Sequence, residues 1–237
     1  TDEKLDREAF YIERMQSERA AGVLINPISP NSTPMLEALR RSGTAIVLLD
    51  NEIEGFPCDS IGVDDRLGAY TATSHLIQLG YRRIATIGGL HHQLTARKRQ
   101  QGYKEALRDA GLPTDDTFIL LTDYTEEAGY TATIRIFQED PPEAIFSSNN
   151  STTLGVIRAA AELGLRIPDD VALVSFDDLP YAEFLQSPLT AIAQPSYQIG
   201  VEAGRLLEFR IHNPTAPYRN VELPAPLVVR ASCGNRP

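Results

Sequence analysis

Apolar residues recur along this chain at two alternating spacings. From Leu5 to Arg19, the positions Leu5, Ala9, Tyr11, Ile12 and Met15 fall near a helical period, and AGVLIN then reads as a short buried strand. Ser32 or Thr33 can cap PMLEALRRSG, with Pro34 in the first turn and Gly43 at the end, before AIVLLD supplies a second strand finishing in Asp50. The same grammar repeats: helix DDRLGAYTATSHLIQLG with an acidic start and a Gly80 stop, strand RRIATIGG, helix ARKRQQGYKEALRDAG closed by Gly111, and strand FILLT. Helix EEAGYTATIRIFQ, strand AIFSS, helix TLGVIRAAAELG and strand VALVSFDD follow. Strands alternating with helices through short loops predict βαβ units, hence an α/β fold built on parallel sheet.

In such sheets ligands lie beyond the carboxyl ends of the strands, where loops converge and helix amino ends point at the crevice. VALVSFDD shows the pattern most clearly, an apolar run fit for burial on both faces that stops at two aspartates. Asp50, the pair Asn149 and Asn150, and Asp177 all occupy strand ends, and their recurrence points to a binding site. After TAIAQ the pattern changes to one more helix, IGVEAGRLLEFRI, followed by YRNVELPAPLVVRAS. Two strand-like runs there flank Pro224 and Pro226, where the chain can cross from one sheet to another.

Composition narrows the function. The 237 residues, 42% hydrophobic and 23% charged, suit one large domain or two smaller ones. A net charge of -10, with no basic stripe, makes the chain alone a poor nucleic-acid binder. Cys58 and Cys233 lie far apart without metal-ligand spacing, which favours two unpaired thiols in a reducing compartment over a disulfide. No secretory signal or membrane-length apolar run is evident, so a soluble protein is expected. Adjacent His91 and His92 read as a polar loop, Gly88 and Gly89 lack the spacing of a dinucleotide fingerprint, and His75 shows no evident nucleophile partner. No catalytic constellation emerges, and no metal or cofactor is expected.

The segments AGVLINP, IVLLDNEIEG, HLIQLGYRRIATIGG, ARKRQQGYKEALRDAGL, AIFSSNNSTTLGVIRAAAELGLRIPDDVALVSFDD, PLTAIAQPSYQIG and LPAPLVVRAS occur in an order that spans nearly the whole chain. Together they resemble the effector-binding core of the LacI/GalR family of bacterial transcription regulators, which share the fold of type I periplasmic sugar-binding proteins. The resemblance implies two doubly wound parallel-sheet subdomains with a ligand cleft between them, residues 1–62 plus 196–223 forming one and 63–194 plus 225–237 the other. It also implies that a strand, a helix, a second strand and a helix-turn-helix headpiece precede the segment like TDEKLDREAF. On that reading the first strand-helix-strand is absent from this chain, through truncation or disorder, and the smaller subdomain is left with an unpaired sheet edge and apolar surface.

The resemblance also assigns a site. Arg99 matches an arginine that donates to effector hydroxyls or a carboxylate, a task suited to a planar fork of donors; the alternative is that RKR is a solvated helix face. Asp177 matches a strand-end aspartate that accepts from sugar hydroxyls, while Asp178 is expected to contact backbone amides in the following turn. Asn149 matches a cleft asparagine whose amide both donates and accepts, and Asn150 stands where the family usually has aspartate. Asp50 matches an acidic position, with a turn role as the alternative. Gln194 either contacts ligand or satisfies hinge backbone. Tyr124 either stacks on a sugar ring or packs in a loop.

The function implied is the effector-binding and homodimerising core of a cytoplasmic repressor that senses a sugar-like molecule. It would reach operator DNA only through the helix-turn-helix and make no membrane contact. Effector binding would close the cleft and change the spacing of the headpieces. The alternative is an extracytoplasmic sugar-binding protein feeding a transporter, and an enzyme is not expected.

Overall fold

The computed structural model describes residues 4–90 and 93–234. In chain order its elements are α1 (Leu5–Ser17), β1 (Gly22–Ile25), α2 (Thr33–Arg41), β2 (Ala45–Leu49), β3 (Asp59–Val63), α3 (Asp65–Gln78), β4 (Ile84–Gly88), α4 (Leu94–Asp109), β5 (Ile119–Leu121), α5 (Glu126–Glu139), β6 (Ala144–Ser147), α6 (Asn150–Glu162), β7 (Ala172–Phe176), β8 (Thr190–Ile192), α7 (Ser196–His212), β9 (Asn220–Leu223) and β10 (Leu227–Val228). The strands form two sheets, ordered β1-β2-β3-β9 and β10-β8-β7-β6-β4-β5. Among the described residues the chain divides into two compact units, 4–63 with 93–95 and 195–224, and 64–90 with 96–194 and 225–234. None of the described helices is long and apolar enough to cross a membrane.

In the smaller unit all strand pairs are parallel. Successive side chains of a strand point to opposite faces, and β2 uses this to build two cores. Ile46 and Leu48 join Ile12 of α1 and Leu36 and Leu39 of α2, while Val47 joins Ala203 and Leu206 of α7. Ser32 does not cap α2 with its side chain; its Oγ donates instead to the buried carboxylate of Glu8, 2.5 Å away. β1 is an edge strand, and Leu24 on it and Tyr11 and Met15 on α1 are exposed.

The hydrophobic pattern gives no sign of β3, because DSIGV carries a charge at its first residue. Asp59 is fully buried and accepts from Arg210 Nε and Nη2 at 2.6 and 3.0 Å and from Arg219 N at 2.8 Å. Arg210 Nη1 also donates to the carbonyls of Asn213, Pro214 and Ala216, so α7 and the loop before β9 close around one ion pair. Pro224 and Pro226 mark the expected crossing: β9 pairs with β3 in one sheet and β10 with β8 in the other.

In the larger unit only the β10 pair is antiparallel. The chain leaves β4 for β5 on one side and returns at β6 on the other, which makes the carboxyl ends of β4 and β6 the topological switch point of the sheet. Asp64 caps α3 by accepting from Leu67 N, and Thr125 caps α5 by accepting from Ala128 N. Both cysteines are free. His75 does have a sulfur neighbour, contrary to the expectation from sequence, since its Nε2 lies 3.3 Å from Cys233 Sγ. That sulfur is fully buried and also receives Thr190 Oγ1 at 3.2 Å, so the contact is part of the packing behind β8.

Two outcomes follow from this packing. Arg210→Met leaves Asp59 buried without its partner and should cost about 3–5 kcal/mol in chemical denaturation, the usual penalty for breaking a buried pair. Burial pushes the Cys58 thiol up to about 12. Only ~0.01% is then thiolate at pH 8, and the reactive form gains ground only as pH climbs toward that value. Iodoacetamide should therefore label the native chain far more slowly than the urea-unfolded chain, and rapid native labelling of the half-buried Cys58 would contradict its raised thiol pKa.

Candidate functional site

The site in the larger unit is built at the ends of β4, β6, β7 and β8. Arg99 on α4 is 3% exposed, which rules out the solvated-face reading. Its Nε donates to Asp65 Oδ1 and its Nη1 to the Ser148 carbonyl, each at 2.7 Å, and the guanidinium lies 3.8 Å from the centroid of the Phe176 ring. Asp65 is the first residue of α3, where the helix dipole favours an acid. Gly102 lets α4 come this close to α3, because a Cβ there would sit 2.1 Å from the Arg66 carbonyl oxygen.

Asp177 follows β7 with φ at 74°, in the left-handed region that side chains other than glycine seldom adopt. Its N–H donates to the Ile192 carbonyl, and its Oδ1 accepts from Gln194 Nε2 at 2.5 Å. Gln194 thus binds the strand-end carboxylate, a role the sequence did not reveal. Asp178 turns away from this site: it takes a bidentate pair from Arg230 at 2.9 and 2.7 Å, where backbone amides were expected.

Asn149 caps α6, its Oδ1 accepting from Ser151 N at 2.8 Å and Thr152 N at 3.2 Å. The cap occupies its carbonyl oxygen, so the amide offers a ligand its Nδ2 donors and not both functions. Asn150 is exposed at the first position of the helix. Thr153 Oγ1 sits within 2.9 Å of Ser147 Oγ, Ser175 Oγ and the Asn149 carbonyl, a buried hydroxyl cluster that fixes the ends of β6 and β7 beneath the site.

Tyr124, after β5, lays its ring across Gly89, where a Cβ would approach its Cζ to 2.4 Å. The hydroxyl is buried beside Ser148 and the Gly89 backbone without a hydrogen-bond partner of good geometry among the described residues. Burial pushes this phenol above its ordinary pKa, so it is a neutral donor and acceptor at physiological pH.

In the smaller unit Asp50 ends β2 in the same left-handed conformation, φ 60°, with its N–H bonded to the Ile61 carbonyl. Beside it Asn51 Nδ2 donates to Asn26 Oδ1 at 3.1 Å. The larger unit therefore brings together Arg99, Tyr124, Asn149, Asp177 and Gln194, and Asp50 belongs to the other unit. Sequence reasoning missed Asp65, Ser148 and Phe176 as partners of Arg99. The one available signal was the DD pair opening α3, where a single carboxylate suffices as a cap. His91 and His92 lie outside the described residues.

The architecture matches a known class, since residues 73–233 fit the family described as periplasmic binding protein-like domain. The catabolite control protein A of Priestia megaterium is 32% identical over 235 residues, 98% of this chain and 70% of that protein. The solved complex of the transcriptional regulator CelR with cellobiose superposes with a TM-score of 0.85 at 32% identity, covering 94% of this chain and 70% of the other. A LacI family transcriptional regulator from Enterococcus faecium with bound ribose gives 0.84 at 26% identity, covering 94% and 83%. The chain belongs to the LacI/GalR family of transcription regulators and corresponds to its effector-binding core. These relatives are regulators, and nothing in them favours the transporter alternative.

A backbone test separates strain from chemistry at Asp177. Glycine in place of alanine ordinarily lowers stability by about 0.4–1 kcal/mol through the unfolded chain. At φ 74° the order should reverse, with Asp177→Gly more stable than Asp177→Ala by about 1 kcal/mol, because alanine alone resists the left-handed region. Urea melts of the two variants, both lacking the carboxylate, give that difference directly.

Proposed function

We propose that the chain senses an uncharged, hydroxyl-rich effector, a sugar or close derivative, held in the larger unit by Arg99, Tyr124, Asn149, Asp177 and Gln194. The observation that carries this reading is the burial of Arg99 against Asp65. The only guanidinium among these residues already has a carboxylate partner, and the remaining charge belongs to Asp177. Such a site has little to offer a phosphate or carboxylate. It presents a carboxylate acceptor, amide donors and a neutral phenol to hydroxyl groups. The bound cellobiose and ribose of two relatives belong to the same chemical class.

In the whole protein this core would act as a cytoplasmic homodimer that places a helix-turn-helix segment on operator DNA, the net charge of -10 leaving DNA contact to that segment. Effector binding shifts the protein between two states only if it favours one of them. The two units are the subdomains between which that difference would arise. Gln194, the last residue of the larger unit before Pro195, ties Asp177 to the segment that passes between them.

Calorimetry across neutral mono- and disaccharides, their phosphates and sugar acids tests the reading. A neutral sugar should bind and its phosphate should not. Asp177→Ala should lose about tenfold to a hundredfold in affinity, the worth of one charge-assisted hydrogen bond. Preferential binding of the phosphorylated sugars would refute it, and sedimentation of the full-length protein as a monomer only would refute the dimer.

A further inference from the structure

A cavity of about 160 Å³ lies in the larger unit toward the amino ends of β7 and β8, whereas Asp177 and Gln194 follow their carboxyl ends. Its apolar walls include Ile157, Leu165, Ile167, Leu173, Leu185 and Leu189. One polar atom there is unmatched: Ser187 Oγ is buried and has no hydrogen-bond partner among the described residues. The other hydroxyl in the lining, that of Ser232, is already committed, donating to the Leu173 carbonyl at 2.6 Å and accepting from Thr190 N at 2.8 Å. The one charged lining residue, Arg166, has a side chain 69% exposed and is held bidentately by Asp170 with Asp169 also within 3.5 Å, so it offers an anion no net attraction.

We propose that this cavity is a second small-molecule site, distinct from the effector site, for a neutral ring-sized apolar molecule carrying one hydroxyl or carbonyl. The volume sets the size, since a cavity of roughly 150 Å³ walled by leucine, isoleucine and phenylalanine accommodates benzene. The apolar walls exclude a sugar, whose hydroxyls would lose water without gaining partners. Ser187 supplies the buried polar contact, beside the exposed Gln186 that also lines the cavity, and selects an alcohol or ketone over a hydrocarbon. Arg166, matched by its two aspartates, leaves the site without attraction for a carboxylate.

The probes are phenol, cyclohexanol, toluene and benzoate, followed by thermal shift and by the methyl resonances of Ile157 and Ile167. Phenol and cyclohexanol should raise the melting temperature and move both methyl signals saturably, and benzoate should do neither. Ser187→Ala should weaken phenol by about two- to tenfold, a neutral hydrogen bond's worth, and leave toluene unchanged. Ala161 lines the cavity at an exposed position of α6, so Ala161→Phe should block phenol without disturbing the core. Absence of saturable shifts at millimolar phenol, phenol binding undiminished in Ala161→Phe, or equal phenol affinity in Ser187→Ala would each overturn the proposal. Sugar binding at Asp177 is read separately by calorimetry and does not depend on any of these outcomes.

Discussion

A guanidinium withdrawn from water must find its partners inside the protein, and Arg99 is withdrawn almost completely. Its partners come from three directions: Asp65 at the start of α3, the Ser148 carbonyl after β6 and the face of Phe176 at the end of β7. Two glycines serve that demand. Gly102 allows α4 to touch α3, and Gly68 leaves room for the Phe176 ring, which a Cβ there would meet at 2.7 Å. The ion pair therefore fixes where the strand ends of the switch point lie relative to α3 and α4. It also spends the positive charge internally, so on the proposed reading a ligand in this unit meets hydrogen-bonding groups and the carboxylate of Asp177.

That carboxylate and Asp50 show the same device in two separate units. In each case the N–H of the aspartate continues the parallel ladder, to Ile192 in one and to Ile61 in the other, while a positive φ turns the chain out of the strand. Glycine would make this turn without strain. Aspartate tolerates the left-handed region better than most residues, yet still at a cost of about 1 kcal/mol or more, and strain of this kind persists where the side chain has a use. Asp178, one residue further on, has no such geometry and is absorbed by Arg230.

The alternation of strands and helices, the strand ends and the crossing at Pro224 and Pro226 were legible in the sequence because each is set by residues close together in the chain. What was not legible depended on distant partners. β3 was hidden because Asp59 reads as a loop until Arg210, 151 positions later, neutralises it. Asp65 looked like an ordinary helix cap and gave no sign of being the partner of Arg99, since 34 residues separate two charges whose burial only folding reveals. His75 and Cys233 are 158 residues apart. The cap that Asn149 makes on α6 was missed for the opposite reason: it is local, but the helix begins one turn earlier than its apolar pattern does.

On the proposed reading, the same geometry explains how an occupied site is felt elsewhere. Asp65 and Gln194 each lie within two residues of a point where the chain passes from one unit to the other, after Val63 and before Pro195. Each is bonded to a residue assigned to the effector, Asp65 to Arg99 and Gln194 to Asp177. A sugar hydroxyl that donates to Asp177 Oδ1 competes with the Gln194 amide for that oxygen, and proline at the next position limits how the segment can relax, because its φ is fixed. Binding then redistributes hydrogen bonds at the connection itself, with no need for a relay through the core. A ligand that left the Asp177–Gln194 bond untouched would have to signal through another contact that differs between the two states, because only differential interaction moves an equilibrium.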